Sequence, residues 1–147
     1  MEYVETAGQV LESEYPYTSG HGQSGTCQKR GTPQVYVSGV VNVPANSTAQ
    51  LKAAIAKAPI SVTVEADQRV FQMYSDGIFD SAECGTKLDH AVAAVGYGSE
   101  GGKDYYIVRN SWSGSWGEMG YIRIAITGDG PGICGIQMES LYPSVKN

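Results

Sequence analysis

The chain has 147 residues, 41% of them hydrophobic and 17% charged, enough for one ordinary globular domain with a buried core. A formal net charge of -5 and a pI near 4.9, with no basic run longer than Lys29-Arg30, argue against a protein that grips nucleic-acid phosphates. No stretch approaches the ~18 consecutive apolar residues of a transmembrane helix, so no membrane partner is expected.

The N-terminus, MEYVETAGQVLESEYPY, has neither the basic start nor the apolar centre of a signal peptide. Within it Val4, Ala7, Val10 and Leu11 recur at helical spacing and predict a short amphipathic helix. No cap precedes that helix, as if it were cut from something longer. From Glu14 to Pro33 the chain is rich in Gly, Ser, Thr and Pro, an irregular connection. QVYVSGVVNVP is β-rich and interrupted by Gly39, which predicts a kinked strand. In NSTAQLKAAIAKAP, Ser47 and Gln50 fit a capping box, Leu51, Ala54, Ile55 and Ala58 form one apolar face, and Pro59 is the stop. Asn46-Ser47-Thr48 also matches a glycosylation acceptor, but it overlaps this cap, and the cap is the simpler reading.

ISVTVEA reads as a short strand, and QRVFQMYSDGIFD as a helical turn ending at Asp76-Gly77. DHAVAAVGYG, KDYYIVRNS and GYIRIAI read as three successive strands, separated by Gly101-Gly102 and by SGSWGEMG. A few helices feeding a mostly antiparallel sheet predict an α+β or β-barrel-like domain.

An ionisable residue heads the first of those three strands. His90 is followed by Ala91, Val92, Ala93, Ala94 and Val95. It can be a satisfied core histidine, a metal ligand or a general base. The metal reading is weak: His21 is the only other histidine, and no C-x-x-C or H-x-x-x-H spacing occurs. No metal or cofactor is expected. A general base needs an orienting partner on its second nitrogen. Asn110 follows His90 by 20 residues. A hairpin through the Gly98–Gly102 turn places the two at the same end. An amide oxygen accepting from the imidazole fixes its tautomer, and the nearby Trp112 would keep water off that bond. Equally, Asn110 can be a strand-end turn residue, with Trp112 and Trp116 as core aromatics.

With these motifs in series, the sequence resembles the papain-like cysteine proteases. LDHAVAAVGYG resembles the family's histidine motif, and NSWSGSWGEMGYIRI its asparagine motif with the following tryptophan. CGIQMESLYPSVKN resembles its C-terminal end, and ESEYPYTSGHGQSGTC its Tyr-Pro-Tyr loop. The resemblance implies an α+β fold: residues 33–147 as the β-rich right-hand domain, a mostly antiparallel sheet or barrel with short helices. Residues 1–32 would be a short arm of the helical left-hand domain. His90 would be the catalytic base, Asn110 its orienting residue and Trp112 their shield. Ser113 departs from the pattern, standing where the family usually has Gly.

In this family the nucleophilic Cys lies roughly 130–150 residues ahead of the His and Asn, in a C-G-[SA]-C-[WY] context. That context is absent from this sequence. The expectation is therefore that the nucleophile, and the glutamine supplying the oxyanion donor, precede Met1. The chain alone would be inactive. There are three cysteines, Cys27, Cys84 and Cys134, and an odd count suggests one bridge and one thiol partnered elsewhere. The resemblance implies a Cys84–Cys134 disulfide and an orphan Cys27; the alternative is a Cys27 made reactive by His90. It also implies a second substrate subsite lined by Thr63, Leu88, Ala91 and Glu139, the carboxylate at its floor admitting Arg as well as bulky apolar side chains. The implied partners are a peptide or protein substrate, the missing N-terminal half of the same protein, and propeptide or cystatin-type inhibitors. The parent would be secreted, vacuolar or lysosomal. A competing reading is a non-catalytic module derived from the family that binds peptides or inhibitors, or one with Ser for Cys in the upstream segment.

Overall fold

The computed structural model describes residues 2–145. Met1, which begins the expected arm, and Lys146 and Asn147, which end the expected C-terminal motif, lie outside the described residues. Two compact units form: one from residues up to Val41 together with those from Pro143 onward, the other from Asn42–Tyr142.

In the smaller unit, α1 spans Glu2–Ala7 and β1 spans Val37–Asn42, with β1 beside the outer part of β7 (Ser140–Val145). The helix is shorter than its apolar spacing predicts, and Val10 and Leu11 lie beyond it. The cause is Gly8, whose φ of +72° is left-handed and ends the helix. A Cβ there would also sit 2.6 Å from Pro33 Cβ. Gln9 instead pairs with Val35, its N–H donating to the Val35 carbonyl at 2.8 Å. Between these anchors the connection is irregular, as its composition predicts. It is held by single bonds such as Gln28 N–H to the Tyr15 hydroxyl (3.1 Å).

The larger unit contains α2 (Thr48–Ile55), β2 (Ile60–Val64), α3 (Arg69–Gln72), β3 (Ile78–Phe79), β4 (His90–Glu100), β5 (Lys103–Arg109), β6 (Tyr121–Ala125) and a 3₁₀ turn at Ile133–Gly135. Its sheet runs β7-β2-β4-β5-β6-β3. The contacts are antiparallel except β3 with β6, which is parallel. The order is open, so of the two expected forms the sheet is realised and the closed barrel is not. Alternation along the strands sends Ile60, Val62 and Val64, then Val92 and Ala94, Tyr106 and Val108, and Ile122 and Ile124 into one core. Each large aliphatic group removed from water there contributes about 1.5–3 kcal/mol.

Helix α2 closes this core with Leu51, Ala54 and Ile55. Ser47 Oγ accepts from the Gln50 N–H at 3.5 Å, one half of the expected capping box; the return bond from the Gln50 side chain to the Ser47 N–H is not formed among the described residues. The helix ends at Ile55, ahead of Pro59, and Ala58 is only half-buried. Proline disfavours helical backbone in the residue before it, so the last turn tightens early, with Lys57 N–H on the Ala54 carbonyl at 2.9 Å. The β4–β5 hairpin turns at Gly101 and Gly102, both with positive φ, the geometry of a two-residue loop that continues the strand twist. Cys84 and Cys134 form a disulfide across 50 residues, and both are buried. Cys27 is unpaired and exposed.

Candidate active site

His90 opens β4 opposite Val64. The residue before it anchors the strand: Asp89 N–H donates to the Val64 carbonyl at 3.1 Å. Its carboxylate accepts from the Ala66 and Asp67 N–H groups at 2.7 and 3.1 Å. Asn110 leaves the end of β5, where its N–H donates to the Gly120 carbonyl at 2.9 Å, and it is 8% exposed. The hairpin brings the two side chains together. His90 Nε2 lies 2.9 Å from Asn110 Oδ1.

The direction of that bond follows from a third group. Asn110 Oδ1 also accepts from the Ser111 N–H at 2.7 Å. A flipped carboxamide would set its NH₂ against that donor, so the oxygen faces both Ser111 and His90. Nε2 is therefore the donor, and the neutral ring keeps an unprotonated Nδ1 as its basic atom.

Trp112 stacks on the imidazole, with centroids 5.0 Å apart and planes inclined by 27°. It is held edge-on by Phe71 at 5.7 Å and by Trp116 at 5.4 Å. Trp116 is tied down in turn, its Nε1–H donating to the Gln72 carbonyl at 3.0 Å. Packing of this kind fixes the imidazole plane and limits water access to the Nε2–Oδ1 bond. The indole was legible in sequence. Phe71 was not, because α3 is a four-residue helix without a periodic pattern.

The loop from Asn110 to Tyr121 carries two non-glycine residues with positive φ, Ser113 (+70°) and Met119 (+54°). Ser113 is the departure noted above, and the backbone explains why Gly suits the position. Ser113 Oγ accepts from the Ser115 N–H at 3.2 Å, which offsets part of the strain. Ser113→Gly is expected to raise stability by about 0.5–1 kcal/mol. Urea unfolding checks this: the midpoint should rise with an unchanged m-value.

Backbone pairing brings three of the four expected subsite residues, Thr63, Ala91 and Glu139, together near the start of β4. Thr63 faces Ala91 across the β2–β4 ladder, and its N–H donates to the Glu139 carbonyl at 3.1 Å. Leu88 packs on Gly135, where a Cβ would lie 2.7 Å from Leu88 Cδ2 and 3.1 Å from Met138 Sδ. Met138 approaches the same glycine as Leu88 and was not singled out in the sequence. Glu139 is exposed. Glu65, 3% exposed, was also missed. Its carboxylate accepts from Gln68 Nε2 at 2.9 Å and from the Lys87 N–H, bracing the segment that leads to Leu88.

Residues 1–144 match the family model described as papain family cysteine protease. Over 144 residues the chain is 49% identical to the probable cysteine protease RD21B of Arabidopsis thaliana, covering 97% of this chain and 31% of that protein. It is 50% identical over 147 residues to caricain of Carica papaya, covering 98% and 41%. Among solved structures it resembles the bromelain protease from Ananas comosus in complex with the E64 inhibitor. There the identity is 40% and the TM-score 0.89, over 99% of this chain and 67% of that one. The proform of the ragweed pollen allergen Amb a 11 gives 33% identity and a TM-score of 0.90, covering 99% and 45%. The chain spans about a third of the length of the first curated relative it matches. It belongs to the papain family of cysteine proteases.

Proposed function

We propose that this chain is the C-terminal part of a cysteine endopeptidase that hydrolyses peptide bonds by a Cys-His-Asn mechanism. It supplies the base and its orienting residue, and the thiol comes from a segment ahead of Met1. In this reading residues 33–147 are the right-hand domain and 1–32 the arm of the left-hand one. The observation that carries it is the His90–Asn110 hydrogen bond with its direction set by Ser111. The bond leaves Nδ1, the atom that would take the thiol proton, free of a protein partner among the described residues.

The chemistry follows from that tautomer. Nδ1 takes the thiol proton, giving a thiolate and an imidazolium whose Nε2–H stays on Asn110. The thiolate attacks the carbonyl carbon of the substrate. The imidazolium then protonates the departing amine as the thioester forms. In the second half the neutral ring removes a proton from water as it attacks the thioester, and returns it to the sulfur. Trp112 keeps the orienting bond dry throughout. The substrate is a peptide or protein. Propeptide and inhibitor binding are supported by relatives solved as proforms and with E64. The proposed location of the parent is secreted, vacuolar or lysosomal.

The test treats the purified chain with an epoxide reagent selective for catalytic cysteines, at about pH 6 without reductant, and maps adducts by mass spectrometry. The expected result is no adduct and no peptide hydrolysis. When the chain is joined to a segment bearing the family's nucleophile, both should appear. An adduct on Cys27 that vanishes in His90→Ala would overturn the assignment of the thiol to an upstream segment. Neither adduct nor hydrolysis in the joined polypeptide would favour a binding module.

The proposed second subsite gives a further expectation. Glu139 makes no side-chain hydrogen bond or ion pair among the described residues, so its carboxylate is available to a substrate guanidinium. In the joined polypeptide, Glu139→Ala should lower kcat/KM on substrates with Arg in that subsite by roughly tenfold, the loss of about 1.4 kcal/mol. Substrates with Phe there should be unaffected. Equal losses on both would remove Glu139 from the subsite.

A further inference from the structure

We infer that Asn46 is an N-glycosylation site, carrying an oligosaccharide at the turn that leads into α2. The tripeptide Asn46-Ser47-Thr48 has the acceptor pattern, with no proline at its centre. In sequence it is ambiguous because it coincides with a helix cap. The structure separates the two roles atom by atom.

Capping and turn bonding use the side chains of Ser47 and Thr48 and the main chain of Asn46, and leave the carboxamide a glycan needs. Ser47 Oγ accepts from the Gln50 N–H. The Thr48 N–H donates to Asp129 Oδ1 at 2.9 Å, and Thr48 Oγ1 donates to the Gly128 carbonyl at 2.7 Å. The main chain of Asn46 is bonded on both sides: its N–H donates to the Gln137 carbonyl at 2.7 Å, and its carbonyl accepts from the Gly130 N–H at 2.9 Å. The Asn46 carboxamide makes no hydrogen bond among the described residues, and the residue is exposed. Its φ of +59° is left-handed, a conformation that asparagine adopts more readily than most residues. The turn is thus held by its backbone, and a sugar on Nδ2 breaks no hydrogen bond among the described residues.

A second observation concerns the compartment. The Cys84–Cys134 disulfide belongs to an oxidising environment. That environment is the one in which the acceptor pattern is used, so the inference rests on the proposed location of the parent. The donor would be an oligosaccharide carried on a lipid diphosphate. In the transfer the bond from Asn46 Nδ2 to the anomeric carbon forms and the carbon–oxygen bond to the diphosphate breaks. The lipid diphosphate leaves with the electron pair, and Nδ2 gives up one of its two protons. Transfer takes place on the extended nascent chain, so the folded-state bonds of Thr48 do not oppose it. What the fold decides is whether the product is tolerated, and an exposed, backbone-locked turn tolerates it.

The experiment expresses the full chain behind a cleavable secretory leader in a eukaryotic host and maps peptides before and after glycosidase digestion in ¹⁸O-water. The expected result is an oligosaccharide mass on the peptide containing Asn46, replaced after digestion by ¹⁸O-labelled Asp at that position. Asn46→Gln and Thr48→Ala should each abolish it, and Thr48→Ser should retain it. An unmodified Asn46 would overturn the proposal, as would a glycan that persists in Thr48→Ala. Because the leader supplies entry into the compartment, an unmodified Asn46 would count against the site itself and leave the proposed location and peptidase reading untouched.

Discussion

In a polypeptide that joins this chain to a thiol-bearing segment, His90→Ala is expected to lower kcat/KM by about 10²–10⁴-fold, the usual contribution of a positioned acid–base group. Asn110→Ala should cost less, roughly 10–100-fold, the range for losing an outer-shell partner of a metal-bound imidazole, taken here for an amide that orients a catalytic one. The ring itself would remain, stacked on Trp112 at 5.0 Å, but it could rotate and exchange tautomers. These two effects need a readout that simple destabilisation would not move. ¹⁵N chemical shifts of the His90 ring provide one in the isolated chain. With Asn110 present they should report a proton on Nε2. In Asn110→Ala they should report a mixture of tautomers, while the backbone amide spectrum of β4 and β5 is retained. A ring that keeps its Nε2–H tautomer in the variant would mean that another group orients it, and Asn110 would lose its role.

The pair was legible in sequence because one local feature, a tight glycine turn, fixes where two strand ends meet. The turn falls between Gly101 and Gly102, and Glu100 pairs with Lys103 across it. That is the late end of the expected Gly98–Gly102 turn, yet both side chains still reach the same end. The expected core of the sheet was legible for a similar reason: alternation of large aliphatics such as Ile60, Val62 and Val64 has no comparable helical reading. Whether the sheet closes was not legible. That depends on the edge, where β3 is only two residues, Ile78 and Phe79, paired in parallel with Arg123 and Ile124. The N-terminal helix was overextended because apolar spacing at Val10 and Leu11 outweighed Gly8 as a stop. Phe71 packs on Trp112, the Gln72 carbonyl holds Trp116, and Met138 lies with Leu88 against Gly135, all from elements far away in the chain that no local pattern marks. Trp112 was read either as a core aromatic or as a shield, and its geometry meets both descriptions: it packs on Phe71 and Trp116 and on the imidazole at once.

Removing the bridge, as Cys84→Ala with Cys134→Ala, is expected to cost about 4 kcal/mol for a closed loop of this length. For a domain of this size that corresponds to a fall in Tm of roughly 8–16 °C in thermal melts without reductant. Two structural facts argue for the full amount. The half-cystines are 1% and 2% exposed, so neither side is frayed by solvent. The bridge also works with neighbouring bonds, since the Glu65 N–H donates to the Cys134 carbonyl at 2.9 Å and the Glu65 carboxylate holds Lys87. Cys84, Glu65 and Cys134 together pin the segment that runs into Leu88 and His90. A fall of less than about 3 °C would mean that the unfolded chain already holds the two segments close, so that cross-linking removes little of its entropy. The His90 ring spectrum separates the two ways in which the bridge can act. If the double variant melts early but keeps its Nε2–H signal when folded, the bridge stabilises by limiting the unfolded state. If the signal is lost while the sheet persists, the bridge also positions the base, and the active site and the disulfide are one cooperative unit.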